Sequence, residues 1–181
     1  MENVINRLGL DIGRVLITPS DGLGDTSFFG ESLEAALRTP PFPGMFDVVP
    51  TLVSRFEGRV WLVSKAGRRI EERTRLWLSH HRFFERTGMP SHHVRFCRDR
   101  QGKEPICREL GLTHFVDDRL DVLGYLRGTV GSLFWFGGER QHAPTWLSPV
   151  ADWSEVRNVV LPPSCAFQAG CSLLGDHPGD G

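Results

Sequence analysis

The chain alternates between short apolar runs and longer segments with apolar residues at helical spacing. Short runs bounded by glycine and polar residues predict buried β-strands, whereas the helical period predicts helices with one buried face. The predicted strands are residues 8–12, 59–64, 94–97, 113–116 and 132–136. The predicted helices are residues 31–38, 44–56, 68–84, 103–110, 120–126 and 152–161. Because strands and helices alternate with short connections, we predict an α/β fold with a mostly parallel sheet covered by helices.

Glycine and proline mark the boundaries of the predicted domain. Residues 18–43 are rich in both and contain one short predicted helix, which indicates a small insertion after the first strand. Pro50 lies within the helix predicted at residues 44–56 and weakens that prediction, since proline removes a backbone donor. Residues 162–181 are rich in proline, glycine and serine, which favours a flexible tail. At a length of 181 residues, we expect one domain over residues 1–161.

Charge is distributed unevenly along the chain, although the net charge is only −1. Residues 65–100 carry ten Lys or Arg against four Asp or Glu, and the segments on either side are acidic. This basic segment predicts either a solvated helix face or a field that attracts an anionic ligand. The only lysines among the 21 basic residues are Lys65 and Lys103. A compact ammonium suits a crowded phosphate site better than a broad guanidinium fork.

The composition argues against several other classes of protein. No apolar stretch is long enough to span a bilayer, and the N-terminus lacks the basic and apolar regions of a signal peptide, so we expect a cytoplasmic protein without a membrane partner. The four cysteines form no CxxC pair, which disfavours zinc knuckles and redox motifs. The pairs His80-His81 and His92-His93 disfavour a shared metal, because adjacent side chains on a helix point about 100° apart.

Three apolar runs end in residues that can perform chemistry. These residues are, in chain order, Asp11, Ser64 and the pair Asp117-Asp118. Lys103 begins the helix that precedes the strand predicted at residues 113–116. Ligands of parallel sheets bind beyond the carboxyl ends of the strands, so these residues are expected to share one site. A buried carboxylate such as Asp11 needs a cation nearby or a chemical task, since burying it alone costs several kcal/mol.

This order of Asp, Ser, Lys and paired Asp, over residues 8–137, resembles the haloacid dehalogenase (HAD) superfamily, whose members are mostly magnesium-dependent phosphatases. The resemblance implies a Rossmann-like HAD fold with a minimal cap formed by residues 18–43. It implies catalytic roles for Asp11 as nucleophile, Ser64 as a phosphoryl ligand and Lys103 as a neutralising charge. It also implies a Mg²⁺ site built from Asp11, the Gly13 carbonyl, Asp118 and, directly or through water, Asp117, with Asp121 holding Lys103 or a metal-bound water.

The residue types themselves are suited to this chemistry. A carboxylate can attack phosphorus to form a covalent aspartyl phosphate, and a divalent cation offsets the repulsion between the two anions. The residues expected to contact the substrate are Ser64, Lys65, Arg68 and Arg14. The small lid and the basic segment favour a nucleotide, a nucleic-acid end or a phosphoprotein as the phosphorylated substrate, and a phosphorylated small molecule also stays open.

One position departs from the HAD pattern. The phosphatases of the superfamily carry a second Asp two residues after the nucleophile, where this chain has Gly13. That carboxylate is the general acid and base, a function worth about 10²–10⁴-fold in rate. Three functions therefore stay open: a phosphohydrolase attenuated at this step, a catalytically inactive binding or regulatory protein, and a hydrolase of another bond such as carbon–phosphorus.

Overall fold

The computed structural model describes residues 5–19 and 28–160, and within them one sheet of six strands organises the fold. The strands are β1 (Leu8–Leu10), β2 (Val60–Lys65), β3 (Val94–Cys97), β4 (His114–Asp117), β5 (Ser132–Phe136) and β6 (Ser148–Val150). Their spatial order is β3-β2-β1-β4-β5-β6, and every pairing between neighbours is parallel. The predicted α/β fold is confirmed, with a sheet that is parallel throughout.

The helices lie between the strands as the sequence pattern predicts. They are α1 (Leu33–Leu37), α2 (Met45–Arg55), α3 (Arg68–His80), α4 (Phe83–Thr87), α5 (Lys103–Leu110), α6 (Leu120–Leu126) and α7 (Trp153–Val159). Helix α2 continues through Pro50, because its buried apolar stripe outweighs the one backbone hydrogen bond that proline removes. Helix α5 ends at Gly111, whose φ of 62° is the left-handed conformation that commonly terminates helices.

Two hydrophobic cores cover the two faces of the sheet. Helices α2, α3, α4 and α7 bury their apolar side chains on the face that carries Leu8 and Leu10. Helices α5 and α6 pack on the opposite face, against Phe115 and its neighbours. Gly9 points to this second face, where an added Cβ would lie only 2.3 Å from Cδ2 of Phe115. A side chain at residue 9 would therefore displace the Phe115 ring from the sheet.

The strand order creates a crevice at the centre of the sheet. The chain proceeds outward from β1 to β3 and then returns to place β4 on the other side of β1. The connection after β1 leads toward β2 and that after β4 leads toward β5, in opposite directions along the sheet. Ligands of open parallel sheets bind at such a reversal, beyond the carboxyl ends of the strands. The crevice of this chain is therefore bordered by the residues that follow β1 and end β4.

The structure differs from the sequence-based prediction in two places. The helix predicted over residues 68–84 is divided, because Arg82 adopts a left-handed conformation, with φ 53°, between α3 and α4. The apolar pattern runs on across this break, since Trp77 and Phe83 are buried in the same core. Strand β6 was not predicted, because its three residues, which include Pro149, are too few to show a period.

The predicted insertion lies partly within the described residues, and the predicted tail lies entirely outside them. The two ends of the insertion pair with each other, since the N–H of Thr18 donates to the Pro40 carbonyl at 3.1 Å and the N–H of Phe42 donates to the Leu16 carbonyl at 2.7 Å. Residues 20–27 of the insertion and the predicted tail at 162–181 lie outside the described residues. None of the described helices combines the length and apolar character needed to cross a bilayer.

Candidate active site

Backbone pairing brings two carboxylates together at the crevice. The N–H of Asp11 donates to the Val116 carbonyl at 3.0 Å, which continues the β1–β4 ladder by one residue past Leu10. This register sets Asp11 beside Asp117, the last residue of β4. Both side chains are buried. Residues distant in sequence thus meet because the strands that carry them are neighbours.

Lys103 lies between these two carboxylates. Its Nζ is 2.7 Å from Oδ1 of Asp11 and 2.7 Å from Oδ2 of Asp117, and the ammonium is almost completely buried. The loop before α5 is closed by Asp99, whose Oδ1 accepts the Gly102 N–H at 2.7 Å, so Lys103 enters the site from a fixed turn. Burial lowers the pKa of Lys103, but the Asp11 and Asp117 carboxylates outweigh it and raise the pKa above its ordinary value. The ammonium is therefore charged.

Asp118 adds a third carboxylate to the same place. One oxygen from each of Asp11, Asp117 and Asp118 lies within 4.8 Å of the other two. Burial, together with the charges of Asp11 and Asp117, raises the pKa of Asp118 to about 8. Burial also raises the pKa of Asp117 to about 7, although Lys103 acts against it. Three crowded carboxylates beside one ammonium fit a hard divalent cation such as Mg²⁺ in both charge and donor type.

Asp117 and Asp118 are held in different ways. Oδ2 of Asp117 accepts from Lys103, and its Oδ1 accepts the backbone N–H of Arg119 at 3.0 Å. The backbone carbonyl of Asp118 accepts from the indole Nε1 of Trp135 at 3.0 Å, which orients this residue without using its carboxylate. Asp117 is thus engaged with the protein at both oxygens, while the Asp118 carboxylate faces the other acids. The sequence pattern of the apolar strand that contains Trp135 carries no signal for such a bond.

Gly13 and Arg14 follow Asp11 in a tight turn. The carbonyl of Ile12 accepts from the N–H groups of Leu16 and Ile17, at 2.9 Å and 3.2 Å. Gly13 forms an isolated bridge with Ile17 and is not among the glycines with positive φ. Arg14 has a φ of 60°, which is uncommon for a residue with a side chain. Its positive charge partly offsets the rise in the pKa of Asp118, which places Arg14 in the electrostatic surroundings of the site.

The remaining predicted site residues lie at the carboxyl end of β2 and in the first turns of two helices. Ser64 is buried near the carboxyl end of β2, and Lys65 is the last residue of that strand. Arg68 begins α3 and is exposed. Asp121 pairs with Arg100 at 3.1 Å and with Arg119 at 3.2 Å. Lys103 contacts Asp11 and Asp117 rather than Asp121, so of the two predicted roles of Asp121 only the contact with a metal-bound water stays a prediction.

One histidine of each pair contacts a backbone carbonyl. Nε2 of His81 lies 3.0 Å from the Leu37 carbonyl, and Nδ1 of His93 lies 3.0 Å from the Val60 carbonyl. The His93 ring stacks on Trp61 with ring centroids 4.5 Å apart. Across residues 5–19 and 28–160, the three aspartates of the crevice are the one group of three or more acidic, histidine or cysteine side chains with metal-binding spacing.

Comparisons with known proteins agree with this architecture. No protein-family model matches the sequence, and no curated protein matches it. A solved structure of D,D-heptose 1,7-bisphosphate phosphatase from B. bronchiseptica, complexed with magnesium and phosphate, is 15% identical and aligns over 85% of this chain and 97% of its own, with a TM-score of 0.62. A haloacid dehalogenase-like family hydrolase from Xanthomonas campestris is 15% identical and aligns over 86% of this chain and 94% of its own, with a TM-score of 0.58. The chain has the fold of HAD-like hydrolases.

Proposed function

We propose that this chain is a magnesium-dependent phosphohydrolase in which Asp11 is the nucleophile. The observation that carries the proposal is the convergence of Asp11, Asp117 and Asp118 around a single ammonium, that of Lys103, at the strand reversal. This arrangement concentrates negative charge that a divalent cation would neutralise. The likeness to a solved phosphatase that is complexed with magnesium and phosphate supports the same reading.

The proposed chemistry begins at Asp11. Lys103 holds Oδ1 of Asp11, which leaves Oδ2 to form a bond with phosphorus as the bond from phosphorus to the leaving oxygen breaks. Water then attacks phosphorus in the aspartyl phosphate, releases phosphate and restores the carboxylate. Mg²⁺, when bound, would supply positive charge and Lewis acidity to the transferring group.

The other residues would bind and orient the substrate. Ser64 lies at the carboxyl end of β2, on the same edge of the sheet as Asp11, and its hydroxyl would donate to a phosphoryl oxygen. The ammonium of Lys65 and the guanidinium of Arg14 would add positive charge around the bound phosphate. Asp118 and Asp11, with the carbonyl of Gly13, would hold the metal, and Asp117 would fix Lys103.

The absence of a carboxylate at Gly13 predicts which esters react. With no general acid at this position, an alkoxide would leave largely unprotonated, whereas a nitrophenolate is stable as an anion. Aryl phosphates should therefore be hydrolysed much faster than alkyl phosphates. The same lack of a general base would slow the attack of water on the aspartyl phosphate.

The first experiment measures Mg²⁺ binding by calorimetry and release of nitrophenolate from p-nitrophenyl phosphate. Asp118→Asn should weaken Mg²⁺ binding by at least about tenfold and reduce the rate, since it removes one anionic ligand. Asp47→Asn, in the first turn of α2 and outside the crevice, is the matched control and should change neither. Unchanged binding in Asp118→Asn would refute the metal assignment.

A second candidate function is favoured specifically by Gly13. Without the general acid and base, the site retains groups that bind phosphate but lacks the group that completes turnover. A protein that binds a phosphorylated ligand without hydrolysing it would keep Mg²⁺-dependent phosphate binding. Calorimetric binding of phosphate together with no release of nitrophenolate would support this function over hydrolysis.

A further inference from the structure

A groove lies next to the proposed phosphate site on the same edge of the sheet. It encloses about 560 Å³ and is lined by Lys65 of β2, the loop at residues 98–101, and Asp121 and Tyr125 of α6. Each lining segment adjoins a residue of the site in the chain: Lys65 follows Ser64, the loop leads into Lys103, and Asp121 lies in the helix that follows Asp118. The groove and Asp11 therefore lie at the same carboxyl edge of the sheet.

The groove presents three cations to a ligand. Lys65, Arg98 and Arg100 contribute positive charge, and the side chains of Arg98 and Arg100 are 55% and 36% exposed. Arg98 donates to the Ala66 carbonyl at 2.7 Å and pairs with Glu71 at 2.9 Å. A guanidinium has five N–H donors, so these two contacts fix Arg98 and leave donors for an anion.

The two acids of the groove have structural tasks. Asp99 accepts the Gly102 N–H at 2.7 Å and closes the turn before α5. Asp121 contacts Arg100 at 3.1 Å and Arg119 at 3.2 Å, and so holds the guanidinium of Arg100 at the groove. An acid that pairs with two arginines orders them and leaves a positive balance. The groove is thus built to present ordered arginines.

The remaining wall of the groove is aromatic. The volume of the groove is larger than one phosphate group requires. Tyr125, the only tyrosine of the chain, is 41% exposed and offers its ring to the groove. Exposed aromatic rings commonly stack against sugars, bases or other planar groups of ligands. A volume of about 560 Å³ is within the range of small-molecule sites and holds a sugar or nucleoside together with a phosphate.

We infer that this groove is a second anion subsite, and that the substrate is a small molecule with two phosphate groups. One phosphate is held at Asp11 and Mg²⁺, the second is bound by Arg98 and Arg100, and the sugar or base between them lies against Tyr125. This inference rests on the proposed function for the position of the first phosphate. It adds the substrate class, because the guanidinium of Arg98 keeps N–H donors beyond its contacts with Ala66 and Glu71, and a monophosphate held at Asp11 would offer them no second phosphate.

The test measures binding rather than turnover, so that it stands apart from hydrolysis. Calorimetry with the Asp11→Asn chain and Mg²⁺ compares adenosine 5′-monophosphate with adenosine 3′,5′-bisphosphate, and fructose 6-phosphate with fructose 1,6-bisphosphate. At least one bisphosphate should bind more than about tenfold more tightly than its monophosphate, the advantage expected from a charge-assisted contact. Equal affinity within both pairs would overturn the inference.

Substitutions in the groove locate the effect. Arg98→Gln and Arg100→Gln, made separately, should each reduce the preference for the bisphosphate severalfold and leave monophosphate binding unchanged. Arg108→Gln is the matched control, because Arg108 is an exposed arginine of α5 that pairs with Glu104 and lies outside the groove. Loss of the preference in Arg108→Gln, or its retention in both groove variants with unchanged thermal unfolding, would contradict the assignment.

The outcome also separates this inference from the proposed function. A bisphosphate preference without release of phosphate from any ester by the unsubstituted chain would support the groove and refute hydrolysis. Release of phosphate with equal use of mono- and bisphosphates would support hydrolysis and refute the groove. Equal cleavage of a 5′-phosphorylated oligonucleotide and the preferred bisphosphate would contradict a small-molecule substrate.

Discussion

Gly13 determines how much of the proposed chemistry this site can complete. It follows Asp11 by two residues, at the place where a general acid and base would stand. Its backbone does not have the positive φ that would exclude a side chain. A carboxylate is therefore compatible with the local conformation. The missing function is a matter of one side chain and not of backbone shape.

Replacing Gly13 tests this interpretation at the scale of the residue. Gly13→Asp should raise the rate of hydrolysis of alkyl phosphates far more than that of aryl phosphates. The ratio of the aryl rate to the alkyl rate should therefore fall by up to about 10²–10⁴-fold. The measurement is kcat/KM for glycerol phosphate and p-nitrophenyl phosphate in both proteins. Gly131→Asp, a distant glycine before β5, is the control for an added charge. Equal use of both esters by the unsubstituted chain would show that another residue supplies the proton.

At the scale of the elements, strand β5 positions a residue that it does not contain. The Trp135 indole reaches from β5 to the Asp118 carbonyl beyond β4, at 3.0 Å. Gly138 allows the ring to lie there, because a Cβ at that residue would be 2.2 Å from Cδ2 of Trp135. The loop that bears Asp118 is thus fixed by a neighbouring strand.

Removal of this single hydrogen bond should loosen the proposed metal site. Trp135→Phe keeps an aromatic ring but no N–H, and Mg²⁺ affinity should fall by about threefold to tenfold, as expected for one net hydrogen bond. Calorimetry measures the affinity. Trp61→Phe is the control, because Trp61 is equally half-buried but stacks on His93 away from the crevice. An equal loss in the two variants would show a general effect of weakened packing.

The sequence predicts the bounds of some elements and the position of the aspartates, but not the contacts between side chains of different strands. Strands β3 and β5 and helices α5 and α6 have the predicted bounds, because each carries a clear apolar period ended by glycine or polar residues. The convergence of Asp11, Asp117 and Asp118 was predictable from the shared carboxyl edge of a parallel sheet. The Trp135 bond and the true partners of Lys103 depend on side-chain contacts between strands, which no local pattern contains.

At the scale of the whole molecule, buried titratable groups act on stability in opposite directions. His114 is buried between Phe56 and Phe134, and burial lowers its pKa below the ordinary value of 6.5. The unfolded chain therefore takes up this proton first as the pH falls, which destabilises the folded state. Asp117 and Asp118, whose pKa values are raised, act in the opposite sense between about pH 8 and pH 4.

A comparison of two proteins isolates the histidine. The free energy of unfolding of the native chain, relative to His114→Phe, should be constant above about pH 7 and fall as the pH decreases through 6.5, with a slope of at most about 1.4 kcal/mol per pH unit. Urea denaturation from pH 8 to pH 5 without Mg²⁺ measures it, and the carboxylate contributions cancel in the difference. A constant difference over the whole range would show that His114 takes up its proton equally in both states.

The proposed function requires that Asp11 forms a covalent bond with phosphorus. Because Gly13 supplies no base for the second step, the aspartyl phosphate should accumulate with a good leaving group. The most direct measurement is mass spectrometry of peptides after acid quenching of the protein with p-nitrophenyl phosphate and Mg²⁺. We predict one phosphoryl group on Asp11, absent without Mg²⁺ and absent in Asp11→Asn. Continued release of nitrophenolate by Asp11→Asn, or turnover with the phosphoryl group on another residue, would contradict the account.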